Sequence, residues 1–117
     1  MKKRLQLKKI MYIMKKDMHT ERIVNMEKLL TFAIPCYNSG AFMHNCIESL
    51  LGVGDDIEII IVNDGSTDNT GAVADAYAEK YPEIIRVIHQ ENGGHGEAVN
   101  AGIRNATGLY FKVVDSD

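Results

Sequence analysis

The stretch IEIIIVNDGSTD, residues Ile57–Asp68, decides the fold. Its first half is a nearly continuous β-branched run, the pattern of a strand covered on both faces, and its second half is a polar tip rich in turn formers. Three further runs are built from the same residue types: Leu29–Ile34 before it, Ile84–His89 and Leu109–Val114 after it. Their starts lie 28, 27 and 25 residues apart, close to the length of one strand-helix-strand repeat. A parallel sheet is therefore expected in place of a meander of hairpins.

The intervening stretches carry helical spacing. In Ala41–Leu51, Phe42, Cys46 and Leu50 recur every fourth residue, and Thr70–Tyr81 places Val73, Ala76 or Tyr77, and Tyr81 on one stripe. Asp68 or Ser66 stands where it can N-cap the second helix, and Pro82 limits its end. A third helix over Gly96–Asn105 contains Gly102, which lowers helix propensity by about 1 kcal/mol relative to Ala and so implies close packing against a neighbour or ligand. Right-handed crossovers turn such units into a half-barrel or an open sheet with helices on both faces. In an open sheet, ligands bind beyond the carboxyl ends of the strands, where the strand order reverses.

Composition narrows the class. With 117 residues, 45% hydrophobic and 25% charged, the chain suits one soluble α/β domain and excludes a collagen-like or predominantly disordered protein. The net charge of −3 hides a division. Met1–Lys28 holds nine Lys and Arg against three Asp and Glu, whereas Leu29–Asp117 holds four against thirteen. An acidic body without Trp or a basic stripe argues against nucleic acid as a partner. Residues 1–28 have no clean hydrophobic period and fit a helical or disordered basic extension, dispensable upstream of the start-like Met26–Leu29. Cys36 and Cys46 are too few and too far apart for a disulfide scaffold or a CxxC knuckle, which fits a reducing cytoplasm. The apolar cluster Ile10–Met14 is far shorter than a membrane span.

The strand tips carry the chemistry. They read Pro35–Gly40 (PCYNSG), Asn63–Asp68 (NDGSTD), Gln90–Gly96 (QENGGHG) and Asp115–Asp117 (DSD), all expected on one sheet edge. Asp115 and Asp117 can converge on one hard cation that keeps positions open for phosphate, or can form a solvated acidic turn. Asp64 can accept a hydrogen bond from a base imide or ribose hydroxyl, or close an Asx-turn or helix cap. Tyr37 can lay its ring against a flat base or sit as a rim aromatic. The glycines of Asn92–Gly96 permit backbone approach to phosphate, yet match neither a dinucleotide fingerprint nor a GxxxxGK[ST] loop. His95–Glu97 (HGE) has the H-x-E pattern of zinc deaminases, but no P-C-x-x-C follows it.

Taken together, Phe32–Asn38 (FAIPCYN), Ile59–Asp68 (IIIVNDGSTD), Asn92–Gly102 (NGGHGEAVNAG) and Val114–Asp117 (VDSD) resemble the nucleotide-sugar-binding half of family 2 glycosyltransferases over about Leu29–Asp117. The resemblance implies a Rossmann-like GT-A fold with strands ordered 3-2-1-4, so that the Pro35–Gly40 and Asp115–Asp117 loops face each other. It implies that Pro35, Tyr37 and Asp64 surround a nucleobase, usually uracil, with Asn38 in the same donor-binding set. By the same resemblance Asn92, Gly94 and Asn100 lie near the ribose and diphosphate, Asp115 faces the ribose or metal-bound diphosphate, and Asp117 binds Mn²⁺ or Mg²⁺. Asn63 stands where the family often has Asp, and no Arg or Lys stands near His95.

The activity so implied is inverting transfer from a nucleotide-sugar donor to a hydroxyl of a saccharide or lipid-linked acceptor, as in polysaccharide biosynthesis. Its general base falls beyond Asp117 in the family, so the catalytic residue is unknown here. The chain thus reads as a fragment, truncated at its C-terminus, with weak or no transfer of its own. The expected location is cytoplasmic, with a position peripheral to a membrane open to the full-length parent. The competing reading is a non-catalytic nucleotide-binding or interaction module that self-associates through an exposed sheet edge.

Overall fold

A computed structural model describes residues 28–117, so the basic extension lies, apart from Lys28, outside the described residues. Strands β1 (Leu30–Cys36), β2 (Ile57–Asp64), β3 (Ile85–Gln90) and β4 (Tyr110–Val113) alternate with helices α1 (Met43–Leu51), α2 (Thr70–Lys80) and α3 (His95–Asn105). All strand pairs are parallel and the order is β3-β2-β1-β4. This is the expected open α/β sheet, with its reversal between β1 and β4.

The pleat explains why helices cover both faces. Phe32, Ile34, Ile59 and Ile61 point to one side, where Met43, Ile47 and Leu50 of α1 and Ala74 of α2 complete the main core. Ile60 and Val62 point to the other, against Ala98 and Ala101 of α3. Each such large aliphatic side chain, buried completely, contributes about 1.5–3 kcal/mol. Gly102 is the expected contact point: a Cβ there would lie 2.7 Å from the Ala33 Cβ, so the glycine lets α3 approach β1.

Two local expectations are corrected. Phe42 is 57% exposed, because α1 begins at Met43, two residues after the expected Ala41, which leaves Phe42 at the N-cap while Met43 joins Cys46, Ile47 and Leu50 on the buried face. On α2, Val73, Tyr77 and Tyr81 do face the core, whereas Ala76 is exposed and Ala74 is buried instead. Asp68 serves that helix as anticipated, accepting from the Thr70 backbone N–H and hydroxyl, although the N-cap position itself is Asn69.

The strands run further than their apolar runs. β1 reaches Cys36 and β2 reaches Asp64, so Pro35 and Asp64 are strand residues. Proline is tolerated within central β1 because position 35 faces the β4 side, and the β1–β4 pairing has ended at Ala33–Val113. At the opposite end of the sheet, Glu58 is 6% exposed and fully engaged. It accepts from the Thr31 hydroxyl, the Thr107 backbone N–H and the Arg86 guanidinium. That network fastens the loop before β4 beneath the sheet and leaves the carboxyl ends to the polar tips.

Candidate functional site

The tip of β1 is stitched to the tip of β2. Asn38, in the left-handed region at φ 51°, accepts through Oδ1 from the Thr67 and Asp68 backbone N–H groups at 2.8 and 3.3 Å. Its own N–H donates to Ser66 Oγ at 3.0 Å. Ser39 N–H donates to Thr70 Oγ1 at 2.8 Å, and Gly40 N–H to Asp68 Oδ2 at 3.2 Å. The Thr70 hydroxyl outweighs burial, which acts the other way, and the Asp68 carboxyl lies below the ordinary aspartate value. Across the reversal, the Ser39 and Ser116 hydroxyls lie 2.9 Å apart, which brings the acidic triplet against the same loop.

The tip of β2 is stitched in turn to the loop before α3, and Asp64 does it. The residue is 3% exposed. Its Oδ1 accepts from Gln90 Nε2 and Gly93 N–H at 2.9 Å each, and its Oδ2 from Gly94 N–H at 3.0 Å. Burial would raise this carboxyl, but the Gln90, Gly93 and Gly94 donors outweigh it and hold the group below the ordinary value. Asn92 Nδ2 donates to the Asp64 backbone carbonyl at 3.1 Å. Gly65 and Gly94 have φ of 69° and 93°, and a Cβ on Gly65 would lie 2.5 Å from the Asn92 nitrogen, so the two loops meet backbone to backbone. Three of the carboxylate's roughly four acceptor positions are therefore filled.

The remaining residues singled out in the sequence divide by surroundings. Tyr37 is 52% exposed just beyond the end of β1. Pro35 is half-buried. Asn92, Asp115 and Asp117 are exposed at the tips, Gly94 opens α3, and Asn100 lies on the exposed side of α3 beyond its first turn. Asp115 and Asp117 supply two hard oxygen donors, and no group of three or more His, Cys, Asp or Glu placed to hold a metal occurs among the described residues. The pair suits an open divalent site completed by substrate phosphate and water. A zinc site around His95 does not fit, since both cysteines are buried in the α1 side of the core.

A cavity of about 410 Å³ lies elsewhere, between α1 and α2, lined by His44, Glu48, Val73, Tyr77 and Lys80 among others. The strand tips, by contrast, lie together at one sheet edge, with their loops hydrogen-bonded to one another.

The sequence model of the family described as Glycosyl transferase family 2 matches residues 31–117. The chain belongs to that family. Glycosyltransferase GlyG of Streptococcus pneumoniae serotype 4 is 45% identical over 94 residues, covering 79% of this chain and 31% of that protein. The family 2 chain thus spans about a third of a curated relative's length. Among solved structures, S. aureus TarS 1-349 superposes with a TM-score of 0.67 and 27% identity, over 76% of this chain and 27% of that one, and has been solved with UDP and with UDP-GlcNAc. Mannosyltransferase PcManGT from Pyrobaculum calidifontis, in complex with GDP-Man and Mn²⁺, has a TM-score of 0.69 and 26% identity, over 75% of this chain and 27% of that one. The GT-A expectation for the fold stands.

Sequence reasoning passed over Ser39, Gln90 and Ser116 as site residues. All three sat inside the quoted tip sequences, but a serine or glutamine carries no chemistry that marks it until its partner is known.

Proposed function

We propose that this family 2 chain is the donor-binding part of a glycosyltransferase that takes a nucleotide-diphosphate sugar, a UDP-sugar first, for inverting transfer to a saccharide or lipid-linked acceptor hydroxyl. The observation that carries the reading is the pinning of all four strand tips at one sheet edge through Asn38, Asp64 and the Ser39–Ser116 contact. Pro35, Tyr37, Asn38 and Asp64 border the base, with the ring of Tyr37 as the stacking surface and the unfilled position on Asp64 Oδ2 as an acceptor for a ring imide N–H. Asn92, Gly94 and Asn100 flank the ribose and diphosphate. Asp115 and Asp117 hold Mn²⁺ or Mg²⁺; when bound, such an ion supplies Lewis-acid stabilisation of the charge that grows on the departing diphosphate. The complexes of TarS with UDP-GlcNAc and of PcManGT with GDP-Man and Mn²⁺ support the donor class and the metal.

Isothermal titration of UDP and of GDP in Mn²⁺ and again in EDTA tests this. Metal-dependent binding, stronger for UDP, is expected. Asp64→Ala should weaken binding with or without metal, whereas Asp117→Ala should remove chiefly the metal dependence. Equal binding in both buffers, or none, favours the alternative of a non-catalytic binding or interaction module. Exposed Leu109 and Tyr110 beside the β4 edge are what that alternative, or self-association, would use.

A further inference from the structure

Asn92 already ties the loop to the backbone of the β2 tip, but the Gly93–Gly94 amides themselves meet only the Asp64 side chain, Gly93 donating to Oδ1 and Gly94 to Oδ2, so their placement depends on how that carboxylate is turned. Gln90 supplies the outside reference. It ends β3, pairs in register with Asp64 of β2, and its Nε2 donates to Asp64 Oδ1 at 2.9 Å. Its backbone therefore belongs to the sheet and its side chain to the cleft. Being neutral, it orients the carboxylate without cancelling the charge that draws the two glycine N–H groups inward. The loop so held opens directly into α3, whose first turn begins at His95.

We propose that Gln90 is a positioning residue for the donor cleft, acting through Asp64: it presets the Gly93–Gly94 backbone before a nucleotide arrives. The proposal rests on the donor-site reading of the cleft. Its energetic content is preorganisation, since a loop that is competent only part of the time lowers apparent affinity by that fraction. Gln90 also leaves Asp64 Oδ2 with a single donor, so the orientation it imposes decides where the remaining acceptor position points. A base bearing a ring N–H can use that position; a ring nitrogen that only accepts cannot.

The test uses the whole 117-residue chain. Gln90→Met keeps much of the side-chain volume without a donor, and Gln90→Glu keeps the shape while removing the donor and setting a second carboxyl against Asp64, whose like-charge repulsion acts in the same direction. Amide hydrogen exchange of Gly93 and Gly94 is read by NMR in the ligand-free protein, and UDP affinity by calorimetry in Mn²⁺. Both variants are expected to speed exchange at the two glycines about tenfold, leave the β2 amides Ile60 and Ile61 protected, and weaken UDP about tenfold. Unchanged exchange at Gly93 and Gly94 overturns the proposal, and so does faster exchange with unaltered UDP affinity. Should Gln90→Met unfold the chain, Gln90→Glu carries the comparison. If the wild type binds neither UDP nor GDP, the donor-site reading falls and takes the donor role of Gln90 with it, while the exchange rates still decide whether Gln90 holds the loop.

Discussion

The Ser39 hydroxyl lies 2.9 Å from the Ser116 hydroxyl, joining two loops that are 77 residues apart in the chain. Ser39 is itself 5% exposed and held by Thr70, so the contact anchors the acidic triplet to the rigid side of the cleft. Asp115 and Asp117 flank the anchored residue. Their separation and direction are thereby tied to β1 as well as to β4.

Ser116→Ala removes this tie without emptying core volume. Stability should change by about 1 kcal/mol or less, the net worth of a single neutral hydrogen bond. The gain in UDP affinity conferred by Mn²⁺ should shrink by about fivefold, matching about 1 kcal/mol. Paired titrations in Mn²⁺ and EDTA measure that gain directly; an undiminished gain shows that the triplet is positioned without Ser39.

Gly102→Val sets two effects against each other. Leaving glycine in a helix interior relieves an intrinsic penalty of about 1 kcal/mol, but much less so for a β-branched replacement. The new Cβ would meet the Ala33 Cβ at 2.7 Å, and Ala33 is buried in a central strand with nowhere to move. Overpacking should win, with a net loss of about 1–3 kcal/mol in urea unfolding.

Acid should expose the work done by Asp64. Its folded carboxyl titrates below the unfolded value of 3.8, because the Gln90, Gly93 and Gly94 donors overcome burial. The unfolded chain therefore binds the proton first, and stability rises with pH in this range. The contribution is complete well above pH 3.8 and is lost as pH falls through the lower folded value. Melting temperatures from pH 7 to pH 3 should fall more steeply for the wild type than for Asp64→Asn, which has no carboxyl to protonate. Equal slopes would count against the lock.

Thiol chemistry should be silent in the folded protein. Cys36 and Cys46 are buried, and burial pushes the Cys36 thiol up to about 12. A disulfide reagent at pH 8 should label Cys36 slowly, at a rate set by unfolding, and label both residues at once in denaturant. Rapid labelling of native Cys36 would show that the end of β1 opens on its own.

Much of the fold was legible because its signals are local. The apolar runs of Ile57–Val62 and Ile84–His89 are strands, and Gly102 marks the close approach of α3. Phe42 misled because helical spacing alone does not say where a helix starts; with the helix beginning at Met43, Phe42 is left at the N-cap and exposed, while Cys46 and Leu50 stay inside. Pro35 and Asp64 looked like loop residues because their types favour turns, whereas strand pairing across β1 and β2 carries the extended backbone through them.

Sequence order by itself determined the repeating strand–helix pattern, the polar tips at one sheet edge and the family, because periodicity and motif spacing are properties of neighbours along the chain. Only the tertiary structure decided which tips touch. Ser39 meets Ser116, Asn38 meets Thr67, and Gln90 and the two glycines converge on Asp64, because the 3-2-1-4 order and the strand register bring distant positions within hydrogen-bond reach. Hydrogen bonds reach only about 3 Å, so their partners are fixed by that packing and leave no mark in the order of the residues.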